Sequence, residues 1–231
     1  MLLNAETGAH SARVSLDGPL TLFPRAFVRH PSGLRLDLIS PDPNGWTDED
    51  LAIGLSRTYR WGGHSKWPLP LSVAQHSLTV VELFKARAIR RGLPPPTGGQ
   101  LLRELLHDAD EALIGGFDAI APLKPLLGEG YARIVAGLQG AITQRYRLEP
   151  YTAAEAECHK HADSLAAASE AVHVAGWKPE EVVTLLNIGL PALSRDPLGG
   201  LFPEQAWEPW APEVSADRFL RQLQCFRAMG G

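Results

Sequence analysis

From Thr47 onward the chain is written in helical grammar, and that restricts it to bundle-like folds. Apolar residues recur at three- and four-residue spacing, as in Val73, Val80, Leu83 and Phe84, and glycine or proline cuts the runs at Gly92, Pro94, Gly115-Gly116 and Pro191. The pattern predicts helices over 47–56, 72–90, 100–113, 131–146, 152–174, 179–188 and 214–229. Thr47 is placed to cap the first, with Asp48, Glu49 and Asp50 where a helix dipole favours acids. Residues 57–71 read as irregular, and 191–212 as a wrapping loop. The first 46 residues differ. Their short apolar stretches at 20–23 and 34–39 are broken by Pro24, Pro31, Pro41 and Pro43, which predicts a small hairpin turning near Ser32-Gly33. The expected class is therefore all-α, mainly a helical bundle with a small N-terminal β-hairpin. Residues 1–46 form an extended appendage packed on the core, and 47–231 the helical domain.

Composition narrows the function classes. A formal net charge of −4 gives no general electrostatic grip on a nucleic acid polymer. No apolar run approaches the roughly 20 residues that span a bilayer, so no membrane partner is expected. Residues 1–10 lack the basic and apolar regions of a secretion signal. Cys158 and Cys225 are the only cysteines, which fits a reducing, cytoplasmic setting rather than a disulfide scaffold.

The chemistry-bearing residues lie among the eight histidines and their acidic neighbours. In Leu106-His107-Asp108-Ala109-Asp110-Glu111, a continuous helix would set Glu111 on the side of His107 and Asp108. The preceding Leu101, Leu102, Leu105 and Leu106 make that helix apolar, and an ionisable cluster on a buried helix needs a compensating charge. Taken alone, a core histidine beside solvated acids explains these residues equally well. His76 shares the spacing of Val73, Val80 and Leu83 and so faces the interior; Asp163 lies in an Ala-rich helix. Together they read as a helix His, a His-Asp about 30 residues on, and a helix Asp about 55 further. Two imidazoles and two carboxylates suit one divalent ion: Mn, Co, Fe, Zn or Mg. Four protein ligands around a six-coordinate ion leave one position for a phosphate oxygen and one for water.

This order of elements resembles the HD-domain metal-dependent phosphohydrolases, and within them the small bacterial 5′-deoxyribonucleotidase-like branch. The resemblance runs over nearly the whole chain: Pro31-Ser32-Gly33, Glu49-Asp50-Leu51-Ala52, Arg60-Trp61-Gly62-Gly63, Val73-Ala74-Gln75-His76-Ser77, Leu106-His107-Asp108-Ala109 with Glu111-Ala112, Pro122-Leu123-Lys124, and Ala162-Asp163 with Glu170-Ala171. It implies an HD helical bundle with metal ligands His76, His107, Asp108 and Asp163, and Glu111 as the proton-transfer residue. It also implies a small-molecule nucleotide substrate, most readily a (deoxy)nucleoside 5′-monophosphate, and is compatible with a homodimer. Arg60 is the expected phosphate fork, its guanidinium matching two phosphate oxygens, and Trp61 the expected surface for sugar or base. Lys124 is expected to add positive charge near the phosphate, and His64 to lie within reach of substrate. Where the relatives carry Gly-Asp, this chain has Gly115-Gly116 with Asp118 two residues later, so Asp118 is the candidate sugar contact through a reshaped loop. His159, one helical turn before Asp163, is a candidate neighbour of the ligands. Two other functions stay open on the same residues: a dNTP triphosphohydrolase, and a nucleotide-binding protein without turnover.

Overall fold

A computed structural model describes residues 26–229. Its described part holds eight α-helices and one two-stranded sheet, in agreement with the expected class. Strands β1 (Phe27–Arg29) and β2 (Arg35–Asp37) pair antiparallel with Val28 opposite Leu36. The turn between them carries Gly33 at φ 90°, a left-handed position that suits glycine. The apolar stretch at 20–23 lies outside the described residues.

Asp50 ties this hairpin to helix α1 (Asp48–Arg57). Its carboxylate accepts from Ser32 N at 2.9 Å and Ser32 Oγ at 2.5 Å. It also accepts from Thr47 N at 2.9 Å, while Thr47 Oγ1 accepts from Asp50 N at 3.0 Å, closing a capping box. One buried acid thus starts the helix and holds the hairpin against it.

Helix α2 (Val73–Arg90) is capped by Ser72 and buried along most of its first three turns. It packs against α6 (Ala153–His173), whose Ala162 and Ala166 let the two backbones approach. Helix α8 (Pro212–Met229) covers α1 and α3 (Gly98–Leu105), sending Phe219 and Leu223 into the same core as Leu51, Leu55 and Phe84. Each such fully buried side chain contributes about 1.5–3 kcal/mol. Helix α4 (Ala109–Leu113) packs on α1 and α5 (Gly128–Tyr146), and short α7 (Pro179–Thr184) lies beside α6.

Two expectations are corrected. The helix read over 100–113 is two helices with a turn at 106–108. The Glu104 carbonyl, which a continuous helix would give to Asp108 N–H, instead accepts from His107 Nδ1 at 2.8 Å, and Ala109 N turns back to Leu106 O at 3.1 Å. The helix read over 179–188 stops at Thr184. Asn187 then adopts φ 55°, and Leu186 and Ile188 turn inward against the cluster around Ala168 and Val182.

Candidate metal centre

Three elements converge on one point. The first turn of α2 supplies His76, fully buried; the α3–α4 turn supplies His107 and Asp108; α6 supplies Asp163. Asp108 Oδ2 lies 3.1 Å from His107 Nε2 and 3.6 Å from His76 Nε2, and Asp163 Oδ1 lies 3.3 Å from His76 Nε2. Donor atoms of His76, His107 and Asp108 all fall within 4.8 Å of one another.

The hydrogen bonds behind the rings decide what those atoms offer. His76 Nδ1 meets Glu170 Oε1 at 2.7 Å and His107 Nδ1 meets the Glu104 carbonyl, both of which only accept, so each Nδ1 carries the proton. Each Nε2 is then the atom turned toward the carboxylates, able to offer a lone pair to a cation that displaces any proton it carries. Both Nε2 atoms are buried without a hydrogen-bond partner. Two orphaned nitrogens facing two carboxylates are a costly arrangement for a core and a fitting one for a divalent cation.

The electrostatics agree. Burial disfavours charge on His107, yet the Asp108 carboxylate beside it lifts its pKa to about 10. Burial also opposes the Asp108 and Asp163 charges, but the facing histidines hold both carboxyls below the usual range. The cluster therefore draws positive charge into its centre. Asp163, with 41% of its side chain exposed, opens it to solvent.

Beside the four ligands lies a cavity of about 170 Å³ lined by Arg60, Trp61, Asp108, Glu111, Asp118, Lys124 and Asp163, with Ile120, Leu186 and Ile188 as apolar wall. Arg60 opens a tight turn whose next residue, Trp61, sits at φ 59°, a strained conformation costing about 1–3 kcal/mol. That kink lets Arg60 face the ligands while Trp61 packs on the cluster around Ala168 and Ala171. Arg60 Nη1 stands 3.7 Å from Asp108 Oδ2 and 3.8 Å from Asp118 Oδ2. Burial works against its charge, but Glu170, Asp118 and Asp108 keep it firmly protonated.

Glu111 is 2% exposed, with Oε1 3.4 Å from Lys124 Nζ and Oε2 buried and unpartnered. Burial, then Asp108 and Asp118, push its pKa up to about 9, against the opposing pull of Arg60 and Lys124. It is a proton-holding group on the wall of a cavity that also carries Arg60, Lys124 and three further carboxyl groups.

The structure thus gathers Arg60, Trp61, Glu111, Asp118 and Lys124 around the four candidate ligands. It leaves His64 exposed and outside the cavity wall. His159 stands edge-on to His107 with ring centroids 5.2 Å apart, and its Nδ1 meets buried Glu104 Oε2 at 2.8 Å. It borders a second, larger cleft of about 410 Å³, to which His107 is the one candidate ligand that contributes. Sequence reasoning gave no role to Glu170, although its place seven residues after Asp163 puts both on one face of α6.

No family model matches the chain. An uncharacterised protein of Rhodobacter capsulatus is 36% identical over 209 residues, a match covering 90% of this chain and 99% of that one. Among solved structures, the cyanophage S-2L HD phosphohydrolase (DatZ), bound to dA and one catalytic Zn²⁺ ion, is 19% identical with a TM-score of 0.46, over 76% of this chain and 95% of that one.

Proposed function

For a chain that belongs to one family with the Rhodobacter capsulatus protein, we propose the activity of an HD-type metal-dependent phosphohydrolase, releasing phosphate from a nucleotide, most readily a nucleoside 5′-monophosphate. The observation that carries this reading is the pair of buried, unpartnered Nε2 atoms of His76 and His107, facing Asp108 and Asp163 at the wall of a pocket that also holds Arg60, Lys124 and Glu111. Acids alone would suit many ions and no chemistry. Acids beside two imidazoles whose Nε2 atoms face them, with Arg60 and Lys124 on the wall of a small cavity, suit an ion and a phosphate together.

His76, His107, Asp108 and Asp163 would hold the ion. When bound it supplies charge against the phosphoryl oxygens and makes a water more acidic. Everything else falls to the chain's own side chains. Arg60 and Lys124 neutralise the phosphate, whose hydrolysis needs charge stabilisation more than covalent help. Glu111, next to both cations, moves a proton at its carboxylate: it takes one from the attacking water or gives one to the leaving oxygen. Trp61, Ile120, Leu186 and Ile188 exclude bulk water and offer apolar surface to the nucleoside. Asp118, on the cavity wall 3.8 Å from Arg60 Nη1, is the candidate acceptor for a sugar hydroxyl.

The test is phosphate release from a nucleotide panel by protein stripped with a chelator and reloaded with Mn²⁺, Co²⁺, Zn²⁺ or Mg²⁺. Phosphate from dAMP and its relatives, dependent on the ion and lost in His107→Ala and Asp108→Ala, supports the reading. Tripolyphosphate from dATP in place of phosphate from dAMP moves the substrate to the triphosphates. Bound ion with no turnover of any nucleotide removes the enzymatic reading.

A further inference from the structure

Glu170 lies on α6 with 2% of its surface exposed, and it does not line the cavity. Its two oxygens are nonetheless divided between two residues that do the cavity's work. Oε1 accepts from Nδ1 of the candidate ligand His76 at 2.7 Å, and Oε2 accepts from Nε of Arg60 at 3.0 Å. Resting on the reading above, we propose that Glu170 is a positioning residue that sets cation affinity through His76 and phosphate affinity through Arg60, so that one carboxylate aligns both halves of the site.

A buried carboxylate costs several kcal/mol unless its oxygens are satisfied. Here the two donors are its satisfaction: burial alone would raise the Glu170 pKa, and His76 with Arg60 brings it below the usual range. The consequence for His76 is a fixed tautomer, with Nε2 free for the ion and made more basic by an anion behind the ring. The consequence for Arg60 is an orientation. Two further carboxylates, Asp108 and Asp118, compete for it at 3.7 and 3.8 Å from Nη1, both beyond hydrogen-bond length. By taking Nε, Glu170 fixes the guanidinium so that Nη1 stays within ion-pair reach of Asp108 and Asp118 without being hydrogen-bonded to either.

The chemistry calls for a carboxylate. It must accept two hydrogen bonds from opposite ends at once. Glutamine has one oxygen and turns an NH₂ toward whichever donor it fails. Aspartate keeps the charge but is one methylene short of spanning both donors.

The experiment measures two equilibria that need no turnover: Co²⁺ binding by chelator competition with its visible spectrum, and inorganic phosphate binding at saturating Co²⁺ by calorimetry. Glu170→Gln should weaken Co²⁺ binding about 10–100-fold, the usual scale for the partner behind a ligating histidine. It should weaken phosphate binding as well, and that second loss should vanish in an Arg60→Ala background, where there is no guanidinium left to orient. Should Glu170→Gln not fold, Glu170→Asp carries the same measurements and should lose at least one affinity tenfold. A folded variant with both affinities at the wild-type level overturns the proposal. So does a phosphate loss of equal size with and without Arg60. Failure of the wild type to hydrolyse nucleotides would sink the phosphohydrolase reading and leave the Co²⁺ measurement to decide the pairing with His76.

Discussion

Glu111 and Arg60 sit in one pocket yet should fail differently when changed. Glu111 contacts no candidate ligand atom through a hydrogen bond, so Glu111→Gln should keep the ion. It should lose turnover by about 10²-fold or more, the usual scale of acid–base catalysis. Metal titration beside phosphate release checks both halves, and near-normal kcat would take the proton-transfer role away from this residue. Arg60→Ala removes the charge that faces the phosphate and should raise KM with the ion still bound; unchanged KM and kcat would remove Arg60 from the site. Spacing alone left the two histidines and their acidic neighbours open to a core reading; the resemblance of the whole pattern to a known family is what pointed to the four candidate ligands, Glu111 and Arg60. Glu170 was not legible in that way. A single glutamate in an Ala-rich helix reads as solvated, and its role comes from Arg60, 110 positions away in sequence. His64 shows the converse: closeness in sequence to Arg60 does not carry it into the cavity.

At the scale of elements, the helix starts were readable because capping is local. Thr47 and Thr152 each accept from the third residue of their own helix, and that spacing is visible in the chain. The break at 106–108 was hidden because apolar periodicity continues across it, through Leu105, Leu106, Ala109 and Leu113. What ends the helix is a side chain, His107, occupying a backbone carbonyl. The same locality makes the Asp50 clamp testable. Burial would raise the Asp50 pKa, but bonds from Ser32 and Thr47 hold it below the ordinary aspartate value. A depressed folded pKa means stability that is present above the unfolded value, about 3.9, and lost as pH falls through the folded one. Asp50→Asn leaves a donor facing a donor and should cost about 1–3 kcal/mol near neutrality. The difference from wild type should shrink on acidification below about pH 4. Urea unfolding of both proteins from pH 3 to 7 measures it, and a pH-independent gap would reject the clamp.

Across the whole molecule, three elements far apart in sequence are held together around a cluster short of positive charge, and that shapes how stability depends on pH and on the ion. Without a cation, His107 has its pKa raised to about 10 and Glu111 has its own raised to about 9. For a raised pKa the linked stability is complete below the unfolded value and drains away as pH climbs to the folded one. The His107 contribution therefore fades from about pH 6.5 upward, and that of Glu111 from about pH 4.3 upward. Both signs agree: the stripped protein should weaken steadily from pH 6 to pH 9. A divalent ion replaces the missing charge, and it binds better as the ligands lose their protons. Saturation at about 1,000 times Kd stabilises by about 4 kcal/mol. The gap in Tm between Mn²⁺-loaded and chelator-treated protein should accordingly widen across that range. The same melts on Asp108→Asn should show little gap at any pH, because the carboxylate that both histidines face no longer carries charge. A gap in the wild type that stays constant or narrows toward pH 9 would mean that the cluster is satisfied by something other than a cation.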